Sequence, residues 1–161
     1  MSASAFKASE LNGAQMAVIN QIAAALGKLM SSGASLRFGA DCLLHAALAQ
    51  RLLEEHAMSA RLVVGEAAWR VGPGDGDVIT HSPQTGGYAP VNAGPAVPFH
   101  AWLELGSTVI DFSTHSLRHK AAQLDAMDGG ATTVRWCPTC LVIDKSATKT
   151  LHEVAQAPLE G

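Results

Sequence analysis

The sequence has little excess charge of one sign, few aromatics, no long apolar run and an odd, small number of cysteines. Each shortage excludes a class of function. Eleven Lys and Arg against fourteen Asp and Glu leave a net charge of −3, so no basic surface suited to a phosphate backbone is to be expected. Aromatic residues make up 5% of the chain, too few for a base-stacking platform. No apolar stretch approaches the ~20 residues needed to cross a bilayer. Met1 to Asn12, with one lysine and no continuous hydrophobic stretch, does not read as a signal peptide. The expected setting is therefore the cytoplasm, with neither nucleic acid nor membrane as partner. Three cysteines do not make a purely disulfide framework, least of all in a reducing compartment. The thiols need another explanation: burial, metal or chemistry.

What is present is enough apolar material for a core. Of 161 residues, 48% are hydrophobic, which suits one ordinary domain over 1–161. Asn12 and Gln15 have capping-box spacing, and Ile19, Ile22, Ala23, Leu26, Leu29 and Met30 then recur at helical period. Ser31-Ser32-Gly33 stops that helix, and a connector over 34–40 leads to Asp41, a good N-cap. A second helix is expected from about Cys42 to His56, burying Leu44, Ala47, Leu48 and Leu52. Arg61 to Gly65 reads as a buried strand extending as far as Val71. From about 72 to 98 the chain is full of Gly, Pro, Asp, Asn and Ser and reads as a long loop; Gly72 to Asp77 lacks the ligands of a calcium loop and reads as a turn.

Phe99 to Leu105 and Thr108 to Phe112 are expected to form a hairpin about Gly106-Ser107. A third helix over Ser116 to Met127 should end at Gly129-Gly130. Thr132 to Val142 should add a strand interrupted at Cys137-Pro138-Thr139-Cys140, and the tail from Lys145 to about Gln156 a helix. Helices first, then mostly antiparallel strands, predict an α+β fold.

Three residues in this layout carry chemistry. Cys42 sits at a helix start, where unpaired N–H groups and the dipole favour a thiolate and can help hold an oxyanion; the Asp41 carboxylate opposes the thiolate. With Gly106-Ser107 as the turn, Asp111 faces Trp102 directly and His100 diagonally. His100, Trp102 and Asp111 then share one face of the hairpin. That is the arrangement a base needs from the group that orients it.

Gly39-Ala40-Asp41-Cys42, the apolar helix after it and Ala60-Arg61-Leu62-Val63-Val64-Gly65 resemble the transglutaminase-like core around its nucleophile. Phe99-His100-Ala101-Trp102-Leu103-Glu104 and Val109-Ile110-Asp111 resemble that family's His and Asp strands. The match covers about 39–113, with the 72–98 segment as an insertion. The resemblance implies a papain/transglutaminase-like fold with Cys42 as nucleophile, His100 as general base and acid, and Asp111 as its orienter. Asp41 and Trp102 would border the substrate cleft.

Other readings remain beside this one. Taken singly, a helix Cys, a strand His and an Asp near a turn are most often core or capping groups. His45 lies one turn from Cys42 and is a weaker candidate base than His100. Cys137 and Cys140 with His115 and His119 have ligand types for a zinc site, although two plain buried thiols is the commoner outcome of a single CxxC. The sequence thus leaves three functions: a cofactor-free cysteine hydrolase or acyl/amide transferase acting on a peptide-like or small amide or acyl substrate, a catalytically inactive binding domain on the same scaffold, or a zinc-stabilised interaction module.

Overall fold

The computed structural model describes residues 11–31, 41–81 and 100–147. The expected connector over 34–40, the loop over 82–98 and the tail helix beyond 147 lie outside them. The capping box forms as read: Asn12 N–H donates to Gln15 Oε1 at 3.0 Å, and Gln15 N–H to Asn12 Oδ1 at 2.9 Å. Helix α1 (Gly13–Ser31) follows and buries Ile19, Ile22, Ala23 and Leu26.

Helix α2 (Asp41–Glu55) buries a different face from the expected leucine stripe. Leu44 and Leu48 are exposed, whereas Cys42, His45, Ala46, Ala49 and Leu53 point inward. Alanines at the contact let the helix lie close on the sheet, and that rotation turns Cys42 toward the strands.

Strand β1 (Arg61–Gly65) does not run on to Val71. The chain breaks at Glu66, and β2 (Ala67–Arg70) pairs with β3 (Val78–His81) in a separate two-stranded sheet. The turn between them closes on Asp77, whose carboxylate accepts N–H bonds from Gly74 and Thr133, each at 2.7 Å. Residues 72–81 are therefore structured, not open loop: the β-branched run Val78-Ile79-Thr80 outweighs the Gly-Pro composition around it.

Strand β4 (His100–Leu105) and β5 (Thr108–Asp111) form the expected hairpin, with Leu103 opposite Ile110 and Glu104 opposite Val109. Helix α3 (Leu117–Asp128) ends on Gly129 in the left-handed region, φ 77°. Of the strand expected over Thr132 to Val142, only β6 (Leu141–Asp144) pairs. Pro138 has no N–H for a ladder. The residues before it are held instead by Arg135 and Trp136 N–H bonds to the Val71 carbonyl.

The main sheet is antiparallel, in the order β1-β4-β5-β6. One face packs Ala101, Leu103 and Ile110 against α1 and α2. The other packs Val109, Leu141 and Ile143 beneath the β2–β3 hairpin and α3, through Trp69, Ile79, Leu117 and Ala121. The architecture is α+β. On the surface Glu104 accepts from Arg61 at 2.6 Å and from Lys145 at 2.9 Å, linking β1, β4 and the turn after β6. Among the described residues no helix is long and apolar enough to cross a membrane.

A Cβ at Gly72 would overlap the Thr133 carbonyl oxygen and sit 2.5 Å from Asp77 Oδ2, whereas one at Gly76 would meet nothing within 4 Å. Gly72→Ala is expected to destabilise the domain by about 2 kcal/mol or more, and Gly76→Ala by no more than about 0.5. Urea unfolding of the two variants checks this, and equal stabilities would refute the close approach of Gly72 to Thr133 and Asp77.

Candidate active site

The start of α2 and the start of β4 meet at one end of the sheet. Cys42 is the second residue of α2, and His100 is the first of β4. Asp111 is the last residue of β5, on the neighbouring strand. The hairpin register puts Asp111 on the face that also carries His100 and Trp102, and the side chains meet there. His100 Nε2 lies 2.8 Å from Asp111 Oδ2, and neither side chain is exposed to solvent.

The second carboxylate oxygen is also engaged. Asp111 Oδ1 accepts from the Ser113 N–H and from its hydroxyl, each at 2.8 Å. Both oxygens are thereby fixed, which aims the carboxylate at the imidazole. Burial disfavours the Asp111 anion, but His100 and Ser113 together outweigh it and hold the carboxyl down to about 2. Burial likewise opposes the imidazolium of His100, yet the Asp111 charge and hydrogen bond raise its pKa above the ordinary histidine value.

With Nε2 committed to Asp111, the ring's Nδ1 is the nitrogen available to Cys42. The thiol is itself buried, 2% exposed, which penalises its anion. The hydrogen bond and charge of His100, the charge of Lys120 and an N–H bond from Ala101 more than offset that penalty and lower the Cys42 pKa. A thiol that is both buried and acidified needs such specific partners.

Two tryptophans frame the imidazole. Trp69, wholly buried, stands edge-on to it with centroids 4.7 Å apart, and Trp102 lies nearly parallel at 6.1 Å. Gly65, paired with His100 across β1 and β4, gives Trp102 its room: a Cβ there would come 2.7 Å from the indole ring. Trp102 is part-buried beside the imidazole. Asp41 opens α2, and its side chain lies outside what is described.

The remaining candidates go elsewhere. His45 is buried with its ring 5.5 Å from that of His115. His115 sits in a 3-10 turn (Thr114–Ser116) ahead of α3, whereas His119 lies on α3 and points to solvent. The Cys137 thiol donates to the carbonyls of Thr114 and His115, both at 3.4 Å. Burial pushes the Cys140 thiol far above its ordinary pKa. Among the described residues no three His, Cys, Asp or Glu side chains gather as metal ligands, so His115, His119, Cys137 and Cys140 are not brought together as a ligand set.

Three contributors escaped the sequence reading. Ser113 carried a signal, since an Asp followed two residues later by Ser is the pattern of a local side-chain turn. Lys120 carried one too: it falls three residues after Leu117 and beside Ala121, on the inward face of α3. The Ala101 N–H carried none, because only the tertiary fold turns a strand amide toward a distant thiol.

No family model and no curated protein matches the chain. A solved crystal structure described only as a genomics target is similar at TM-score 0.50 and 17% identity. The likeness covers 92% of this chain and 63% of that one, so this chain spans less than two thirds of its length. At that identity the likeness concerns the fold alone.

The paired charges set a pH window. Asp111 is depressed from 3.8, so its contribution to stability is present above 3.8 and is lost as the pH falls toward 2. His100 is raised from 6.5, so its contribution is complete below 6.5 and is lost as the pH rises through its folded value. Asp111→Asn should therefore destabilise most between pH 3.8 and 6.5, with the gap to wild type narrowing on both sides. Thermal unfolding of both proteins across pH 2 to 9 tests this, and a gap that keeps widening above neutrality would contradict it.

Proposed function

We propose that this chain is a cysteine-dependent amide hydrolase or acyl transferase on a papain/transglutaminase-like core, with Cys42 as nucleophile, His100 as base and acid, and Asp111 as the group that orients His100. The observation that carries the reading is the fully buried 2.8 Å contact between His100 and Asp111 beside a thiol acidified against its own burial. A nucleophile, a base and an orienting carboxylate in one contact chain are what acyl transfer requires.

In this mechanism the Cys42 thiolate attacks the substrate carbonyl carbon. An S–C bond forms as the C=O π pair moves onto oxygen, where the N–H groups at the start of α2 can stabilise it. As the carbonyl re-forms, the C–N bond breaks and His100 gives its proton to the departing amine. A thioester remains. Water or a second amine then attacks it while His100 takes the incoming proton, and Cys42 leaves as thiolate with an acid or a new amide as product. Asp111 keeps the His100 tautomer fixed and stabilises the imidazolium throughout.

A second reading, a binding domain on the same core that does not turn over, draws on one observation: Cys42 is only 2% exposed. The two differ in whether a carbonyl substrate reaches the sulfur. Incubation with a generic p-nitrophenyl ester followed by intact-protein mass spectrometry is expected to show one acyl group on Cys42. Cys42→Ala should abolish it, and His100→Asn should slow its formation by roughly 10³-fold or more. A wild-type protein that stays unmodified, with a Cys42 that ionises like a free thiol, would leave the binding domain as the better account.

A further inference from the structure

Helix α3 turns Leu117, Lys120 and Ala121 inward, while Arg118 and His119 face solvent. Lysine is rarely placed in such a position, because taking an ammonium out of water is costly unless other groups compensate. Lys120 is 6% exposed, and its Nζ lies 5.9 Å from the centroid of Trp69, within the range of a cation–π contact. That same indole stands edge-on to His100 at 4.7 Å. Trp69 is thus in contact with both Lys120 and His100, the imidazole that partners Cys42.

We propose that Lys120 is a positioning charge for this site: an ammonium seated on Trp69 that favours negative charge on the Cys42 sulfur and disfavours positive charge on His100. The proposal builds on the cysteine-enzyme reading above and adds a residue to it. The titratable groups around Lys120 are Cys42 from α2, His100 from β4 with Asp111 behind it from β5, and His115 from the turn before α3. His45 of α2 is in turn packed on His115. The charge of Lys120 acts in the same direction on three of them, lowering the pKa of Cys42, His100 and His115.

The consequence is specific. Asp111 stabilises the imidazolium and so raises His100, while Lys120 lowers both members of the thiol–imidazole pair. The pH range in which thiolate and imidazolium coexist is therefore moved bodily toward acid rather than widened. A group that merely filled space would not produce that pattern.

The test is Lys120→Met, with Lys120→Arg as the conservative variant, each first shown to be folded by circular dichroism. Ultraviolet thiolate absorbance, referenced to Cys42→Ala, follows Cys42, and ring-proton resonances follow His100. In Lys120→Met both midpoints should rise by about one pH unit, and Lys120→Arg should restore most of the change. Loosening of the site would instead lower the His100 midpoint, because the Asp111 contact would weaken. Unchanged midpoints, or a falling His100 midpoint, overturn the proposal. Should Lys120→Met not fold, wild-type protein with nitrogen-labelled lysine is titrated: an Nζ that is a neutral amine while Cys42 ionises also overturns it. A wild-type Cys42 that ionises like a free thiol would defeat the cysteine-enzyme reading instead. The effect of Lys120 on His100 would still be measurable in that case.

Discussion

A two-residue turn holds this site together. Gly106, with φ 57°, and Ser107 fix how β4 lies against β5, and that register decides which face Asp111 occupies. A slip of one residue would send the carboxylate to the opposite face, among Leu103 and Ile110, and leave a buried imidazole without its partner. The left-handed backbone at Gly106 is open to glycine at little cost, which is how the turn closes in two residues. The imidazole, the carboxylate and the indole of Trp102 are all placed by that one local feature.

The cysteine arrives by a different route. Its position depends on the rotation of α2, and that rotation follows from where the helix keeps its small residues. Ala46 and Ala49 sit against the sheet while Leu43, Leu44 and Leu48 face outward. Hydrophobic periodicity alone favours the leucines for burial. Closeness of approach decided otherwise. The exposed leucines and the acidified thiol are two results of the same choice.

The local parts of the fold were the legible ones. The Asn12–Gln15 capping box, the Gly106-Ser107 hairpin with its register and the Gly129 helix end are each specified within a few residues. The features that differ from the sequence expectation depend on distant partners. Val78 to His81 is a strand because β2 is there to pair with it, and 132–138 is irregular because the Val71 carbonyl and the Asp77 carboxylate take its N–H groups. At the site the pairing of His100 with Asp111 was legible from alternation. Lys120 and the Ala101 amide lay beyond it, since both approach the thiol from elements far from it in the chain.

The Arg61–Glu104–Lys145 cluster on the sheet surface also bears on how the molecule behaves in company. Among the described residues β1 is the outermost strand on its side, and Val64, the fourth of its five residues, is 49% exposed. An exposed, β-branched edge invites another chain to add a strand. Here the edge begins at an arginine already held by Glu104 and is followed by Glu66, where the chain turns out of the sheet. Charge at one end and a break at the other leave an incoming strand only a short length to pair with. These are the features by which natural sheets keep their margins from seeding aggregates.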